Sequence, residues 1–285
     1  VADKKLTIGM AIYDDYDGVF FTSQALRMYN PEVWSRCEIL LIDNHPDSIF
    51  GKEVKRLADR TKYRYVPFTD WTGTTVKEQV FKQADTDYVM CIDCHVLLPP
   101  GTLQYLLRYF DFCGNDLDLL HGPILGDDHQ VIATHQDPVW RGGQLGIWAN
   151  DERGKDINHS PFDIPLQGTG AIACTKLAWP GFNPKFRGFG GEEGYIHEKA
   201  RQRGGRVMCL PGLRWMHRFD RPGGIPYACR NFDKFRNYMI GMSELGKDID
   251  PVIEHFKDKV SQEEIDAVMV EINPPSPSRR GYVLV

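Results

Sequence analysis

The segment Tyr88–Leu98 (YVMCIDCHVLL) constrains this chain more than any other. It is an almost unbroken apolar run that Pro99-Pro100 stops. A membrane helix needs roughly 18 or more such residues, so this run is too short to span a bilayer. A strand buried on both faces, as in a parallel sheet, is the form that suits it. Two polar residues interrupt it, Asp93 and His95. An ionised carboxylate in apolar surroundings is costly unless it is paired or bound to a metal.

The preceding residues alternate between strand and helix. Apolar strands are expected at Leu6–Tyr13, Cys37–Ile42 and Tyr63–Phe68, and helices at Val19–Tyr29, Lys52–Thr61, Thr74–Ala84 and Gly101–Phe112. Alternation of this kind implies βαβ units and an α/β fold, a mainly parallel sheet flanked by helices. In such sheets ligands bind beyond the carboxyl ends of the strands. Tyr13-Asp14-Asp15, Asp43-Asn44 and Asp93-Cys94-His95 all fall at those ends, which is the first functional signal.

The second half is less regular. Short strands are expected at Ala171–Thr175 and Val207–Leu210, with a glycine-rich loop, Gly188–Glu193, feeding a helix from Tyr195 to Arg203. Tyr227–Leu245 reads as an amphipathic helix and Asp250–Ile272 as one or two more, before an extended, proline-containing tail. The expected division is residues 1–222 as a core domain and 223–285 as a C-terminal helical extension and tail.

Of 285 residues, 26% are charged and the net charge is −5, which does not suit a general nucleic-acid binder. The basic run Lys199, Arg201, Arg203, Arg206 is most simply a solvated helix, with contact to an anion as the sharper reading. The seven cysteines are odd in number and scattered, which fits free buried thiols. No membrane span and no export signal is read, so a cytoplasmic location without membrane partners is the expectation.

Asp93 and His95 are two apart, so on one strand both side chains would leave the same face. A carboxylate beside an imidazole suits a divalent ion such as Mn²⁺. The plainer reading is an Asp–His hydrogen bond at a strand end. Cys91–His95 also spells C-x-x-C-H, a haem attachment pattern. Here, however, the two thiols would point to opposite faces of a buried strand.

At these residues the chain resembles the GT-A-fold, family-two-type glycosyltransferases. Asp93-Cys94-His95 is similar to the Asp-x-His metal motif of the polypeptide N-acetylgalactosaminyltransferases. Trp215-Met216-His217-Arg218-Phe219 looks like the later stretch whose histidine completes that metal site. Phe189-Gly190-Gly191-Glu192-Glu193 is similar to their Trp-Gly-Gly-Glu loop, with Phe in place of Trp. Thr7–Tyr13 and Leu41–Asn44 resemble the two nucleotide-binding strand ends of the family. The likeness covers roughly residues 6 to 220 and does not extend to the C-terminal helices.

The resemblance implies a GT-A catalytic domain and a metal-dependent transferase moving a sugar from a nucleotide-diphosphate sugar, UDP being the commonest nucleotide, to an acceptor hydroxyl. Asp93, His95 and His217 would hold Mn²⁺ or Mg²⁺. Tyr13 or Asp14 would flank the base, and Asp43 would bond the base or ribose. Gln167 and the glycines after it would line the sugar pocket, with Gly190 and Gly191 close to the sugar. Glu192 would touch the donor sugar or acceptor, and Glu193 occupies the slot of the general base in inverting relatives. The metal motif points to retention of configuration, while Glu193 leaves inversion open. Trp140-Arg141 and Arg218–Arg221 would close over the diphosphate.

Two other readings compete. One is a nucleotidyltransferase of GT-A-like fold, although the acidic Asp14-Asp15-Tyr16-Asp17 after the first strand is wrong for a triphosphate. The other is a non-catalytic carbohydrate-binding module using Trp140, Trp148, Trp179 and Trp215, although tryptophans are more often core. The acceptor stays open among a protein hydroxyl, a glycan, a small molecule and a hydroxylated DNA base.

Overall fold

The computed structural model describes residues 4–112, 117–220 and 224–273. The first half runs β1 (Leu6–Ile12), α1 (Tyr16–Tyr29), β2 (Cys37–Asp43), α2 (Ile49–Thr61), β3 (Arg64–Pro67), α3 (Glu78–Gln83), β4 (Tyr88–Asp93), β5 (Val96–Leu97) and α4 (Thr102–Phe112). Strands β6 (Leu119–His121), β7 (Ile124–Leu125), β8 (Val131–Ala133), β9 (His135–Arg141), β10 (Gln144–Ala149), β11 (Phe162–Asp163) and β12 (Ala171–Thr175) follow. Helix α5 (Tyr195–Gln202), β13 (Val207–Cys209), β14 (Trp215–His217) and helices α6 (Asn231–Glu244), α7 (Asp250–Phe256) and α8 (Gln262–Ile272) complete the described chain.

Eight strands form the main sheet in the order β11-β13-β6-β12-β4-β1-β2-β3. Pairings among β4, β1, β2 and β3 are parallel, and β12 runs antiparallel to β4. The apolar composition of β1 explains its place at the centre. Leu6, Ile8, Met10 and Ile12 are buried on the side facing α1, α2 and α4. On the other side Gly9 leaves room for Val80 of α3 to sit against the strand. Both faces are covered, as continuous apolar strands require.

The segment Tyr88–Leu98 is not one strand. Strand β4 stops at Asp93, and Val96–Leu97 joins a second sheet of order β5-β14-β7-β8. The alternation argument that put Asp93 and His95 on one face of a strand therefore fails. The break is local: Cys94 and His95 turn the chain, and the Thr22 hydroxyl donates to Cys94 O (2.9 Å) and Val96 O (3.0 Å). The helix expected at Thr74–Ala84 starts as a 3₁₀ turn over Thr74–Lys77 before α3.

The C-terminal helices are packed into the rest. Ile240 of α6 and Leu245 just beyond its end share an apolar cluster with β2, β4 and α5 residues. Phe235, Tyr238, Val252 and Phe256 form a further cluster that takes Trp140 and Leu145 from the β9–β10 hairpin. The basic residues of the α5 region serve the fold: Lys199 pairs with Glu244 and Arg206 with Asp118. The proline-containing tail and Arg279-Arg280 lie outside the described residues, as does Arg221. Among the described residues, no helix is long and apolar enough to cross a membrane.

Candidate active site

Three ligand atoms meet where the two sheets adjoin. His95 Nε2 lies 3.2 Å from His217 Nε2, and Asp93 Oδ2 lies 3.7 Å from the first and 3.6 Å from the second. Asp93 ends β4, His95 precedes β5 and His217 ends β14. The Arg218 N–H donates to His95 O (3.1 Å), which fixes β14 beside the turn.

This triangle fits a divalent ion. Metal–ligand bonds of about 2.1 Å in a tetrahedral or octahedral shell place neighbouring ligand atoms roughly 3.0–3.4 Å apart. The His95–His217 edge of 3.2 Å lies in that range, and the Asp93 edges of 3.6 and 3.7 Å need only a small inward shift of the carboxylate. Two imidazoles and one carboxylate on one side leave the remaining positions open to a ligand. Burial lowers the basicity of His217, which keeps its imidazole neutral and its lone pair free.

A second layer of contacts orients these groups. Asp15 Oδ2 is 3.3 Å from His95 Nδ1, so that nitrogen carries the proton and Nε2 faces the triad. Asp15 also caps α1, accepting from Gly18 N–H at 2.9 Å. Burial opposes its ionisation, but the hydrogen bonds from His95 and Gly18 bring it down to about 2. Asp93 is likewise desolvated, yet the Lys77 ammonium 2.9 Å from its Oδ1 and the two imidazoles hold it far below the usual carboxylate range.

Lys77 links this centre to the glycine-rich loop. Its Nζ donates to Thr169 O (2.9 Å) and Thr169 Oγ1 (3.1 Å), and the Thr169 hydroxyl donates to Glu192 Oε1 (3.1 Å). Burial and the adjacent Glu193 push the Glu192 carboxyl up to about 8. Burial also raises Glu193, against the pull of Lys77 and Lys234. Two neighbouring carboxyls in one buried pocket cannot both ionise freely, so Glu192 keeps its proton at neutral pH.

The loop owes its shape to glycines and to α6. Gly188, Gly190 and Gly191 all have positive φ, at 70°, 94° and 87°. Asn237, 1% exposed, accepts from Arg187 N–H (3.1 Å) and donates to Arg187 O and Gly190 O (2.8 Å each). The helical extension thus holds the loop that carries both glutamates.

These groups surround a cavity of about 320 Å³. Asp93, His95, His217, Glu192, Glu193, Gly190, Gly191 and Tyr13 all line it. Tyr13 stacks on His45 at 5.0 Å and meets Phe189 and Tyr227 edge-on, making one end aromatic. Asp14, Asp43 and Gln167 do not line it. Asp14 instead pairs with His45 Nδ1 at 2.7 Å. Asp43 is fully buried and accepts from His45 N–H (3.0 Å) and the Tyr65 hydroxyl (2.8 Å). The Gln167 amide donates to Gly122 O and Thr134 O. Trp140 is not over the cavity either: it stacks on His255 in the C-terminal core. Trp215 is buried and Trp179 stacks on Phe81, so Trp148 alone of the four tryptophans weighed faces the cavity with an exposed ring.

Lys77 and Asn237 were not singled out in the sequence as site residues, while Asp15 and Thr169 fell within the expected strand-end and sugar-pocket segments without a role of their own. Asp15 carries a readable signal, an acid three residues before Gly18 at a helix start. Lys77 sits beside Val76 and three residues before Val80, on what helical spacing makes the buried face.

The fold defines the class, a GT-A architecture. Residues 22–159 match the Glycosyl transferase family 2. Similar solved structures include GalNAc-T7 with UDP, GalNAc and Mn²⁺ (TM-score 0.64, 14% identity, 97% of this chain and 59% of that one). Others are the mannosyltransferase PcManGT from Pyrobaculum calidifontis with GDP-Man and Mn²⁺ (0.57, 11%, 97% and 77%) and S. aureus TarS 1-349 (0.58, 13%, 94% and 78%). The chain spans 59% of the GalNAc-T7 chain, and at these identities the likeness is one of fold. No curated protein sequence matches. The fold is thus that of the GT-A glycosyltransferases, and residues 22–159 are similar to their family 2.

Proposed function

We propose that the chain transfers a sugar from a nucleotide-diphosphate sugar, with UDP as the nucleotide, to an acceptor hydroxyl, using Mn²⁺ or Mg²⁺ held by Asp93, His95 and His217. The observation that carries this is the triangle of Asp93 Oδ2, His95 Nε2 and His217 Nε2 opening into a cavity with an aromatic end. GalNAc-T7 with UDP and Mn²⁺ and PcManGT with GDP-Man and Mn²⁺ support the same ligand class.

When bound, the ion neutralises charge on the diphosphate leaving group. The chain's own residues do the rest. Asp15 fixes the His95 tautomer, and Lys77 keeps Asp93 ionised. Tyr13 packs at the base end, while Asp14, Asp43 and Gln167 support the cavity wall from outside. Glu192, protonated, offers a hydrogen bond to a sugar oxygen, and Glu193 is the acid able to take the acceptor's proton. The likeness of Asp93-Cys94-His95 to the Asp-x-His motif supports a retaining outcome. A β-linked product from an α-linked donor would assign Glu193 the role of base in an inverting reaction.

Calorimetry tests the reading. UDP is titrated with Mn²⁺, then with a chelator, beside His217→Ala. Binding that needs the metal and weakens in the variant is expected. No binding of uridine, guanosine or thymidine diphosphate under either condition would overturn it. Pyrophosphate release from a nucleoside triphosphate and a sugar phosphate would favour the nucleotidyltransferase alternative.

A further inference from the structure

The β9–β10 hairpin forms a two-stranded sheet of its own. Gln136 and Trp148 are direct partners across its ladder, so their side chains leave the same face. Both line the cavity, as does Gln144. Two glycines make room for them. Gly146, with φ 132°, lies at a register shift in β10, and a Cβ there would come within 2.7 Å of Gln136 Oε1. A Cβ at Gly168 would meet the Trp148 ring at 3.1 Å.

Gln136 is 3% exposed, yet its Oε1 has no hydrogen-bond partner. Glu192, also 3% exposed and lining the same cavity, has an unpartnered Oε2. Buried polar atoms are almost always paired, so two orphans in one cavity point to partners brought by a ligand. A carbonyl oxygen needs a donor, which a hydroxyl supplies. The Trp148 ring, 38% exposed, offers an apolar face. The groups this hairpin contributes are two amides and an indole, all uncharged, which suits a neutral hydroxylated ring better than a phosphate.

We propose that the hairpin forms a pyranose subsite, with Trp148 stacked on the ring's C–H face and Gln136 Oε1 accepting from a ring hydroxyl. This deepens the transferase reading and rests on it. The segment Gly168-Thr169-Gly170 runs from Trp148 to the metal triad, since a Cβ at Gly170 would lie 3.4 Å from Asp93 Oδ2. Two residues of chain span at most roughly 7 Å, about one sugar ring. The ring held here is therefore the donor's own sugar or the acceptor sugar beside it.

The test uses the wild type, Gln136→Leu and Trp148→Ala, all with Mn²⁺. UDP alone is titrated first and should bind all three equally, which shows an intact nucleotide site. UDP-glucose, UDP-galactose, UDP-GlcNAc and UDP-GalNAc follow, and then methyl pyranosides with UDP present, read by indole fluorescence and saturation-transfer NMR. If the donor sugar sits here, the best UDP-sugar weakens about fivefold in Gln136→Leu and about tenfold in Trp148→Ala. If the acceptor sits here, UDP-sugar affinities hold and pyranoside binding is lost in both variants. If no sugar responds to either substitution, or a single-stranded oligonucleotide alone quenches Trp148, the proposal is overturned. Failure of the wild type to bind UDP, with pyranosides still lost in the variants, would sink the transferase reading and leave the subsite standing.

Discussion

Lys77 Nζ lies 2.9 Å from Asp93 Oδ1, while Asp93 Oδ2 faces His95 and His217. One carboxylate thus serves a lysine on one oxygen and the candidate metal on the other. Removing one partner of a buried ion pair costs about 3–5 kcal/mol, because the remaining charge is stranded. Lys77→Met should therefore lower the melting temperature in chelator, and Mn²⁺ should restore more of it than it adds to the wild type. Equal Mn²⁺ shifts in the two proteins would show that Asp93 does not answer to both cations.

Asp15 does two jobs that one substitution can separate. Asn caps a helix about as well as Asp, so Asp15→Asn keeps the start of α1. It removes the carboxylate that fixes His95 Nδ1. Loss of such a partner typically costs 10–100-fold in metal affinity. Mn²⁺ titration by electron paramagnetic resonance should show that loss, with thermal stability within about 1 kcal/mol of the wild type. A large fall in stability with unchanged Mn²⁺ affinity would make Asp15 a helix cap only.

The sheet was largely legible because β1, β2 and β4 are continuous apolar runs between helices. The break after Asp93 was not. Periodicity shows that a segment is buried, not where it crosses from one sheet to another, and Thr22, which pins that turn, lies 72 residues from Cys94 O. Asp93 and His95 drew attention as polar residues in an apolar run, whereas His217 entered through family likeness. Asp43 looked equally promising as an acid at a strand end. Its oxygens, however, are occupied by the Tyr65 hydroxyl and the His45 N–H. Gln136 gave no signal at all, because an unpaired amide is a property of what surrounds it.

Glu192 makes stability depend on pH with a definite sign. Its folded value of about 8 lies above the ordinary carboxyl value, so the folded chain binds the extra proton. That contribution is fully present below about pH 4.5 and is lost as pH rises through 8. Glu192→Gln, which stays neutral, should gain on the wild type by about 3 kcal/mol between pH 5 and 8. Urea denaturation in chelator at those two pH values checks it. A difference that stays constant or shrinks would mean that Glu192 is ionised in the folded protein.

Asn237 ties the C-terminal helices to the glutamate loop through three backbone contacts. In Asn237→Asp the acceptor to Arg187 N–H survives, but the two donors to Arg187 O and Gly190 O become oxygens facing oxygens. Losing two buried hydrogen bonds this way should destabilise the protein by about 2–4 kcal/mol. The loss should be local, because Asp93, His95 and His217 stand on β4, on the turn before β5 and on β14, and not on this loop. Amide hydrogen exchange should therefore rise at residues 187–193 and stay low at β1 and β4. Metal-dependent UDP affinity should change less than twofold, while any sugar transfer falls at least tenfold through its rate and not its donor KM. If exchange rises uniformly through the sheet, Asn237 supports the whole fold, and the helices have no particular hold on the glutamates.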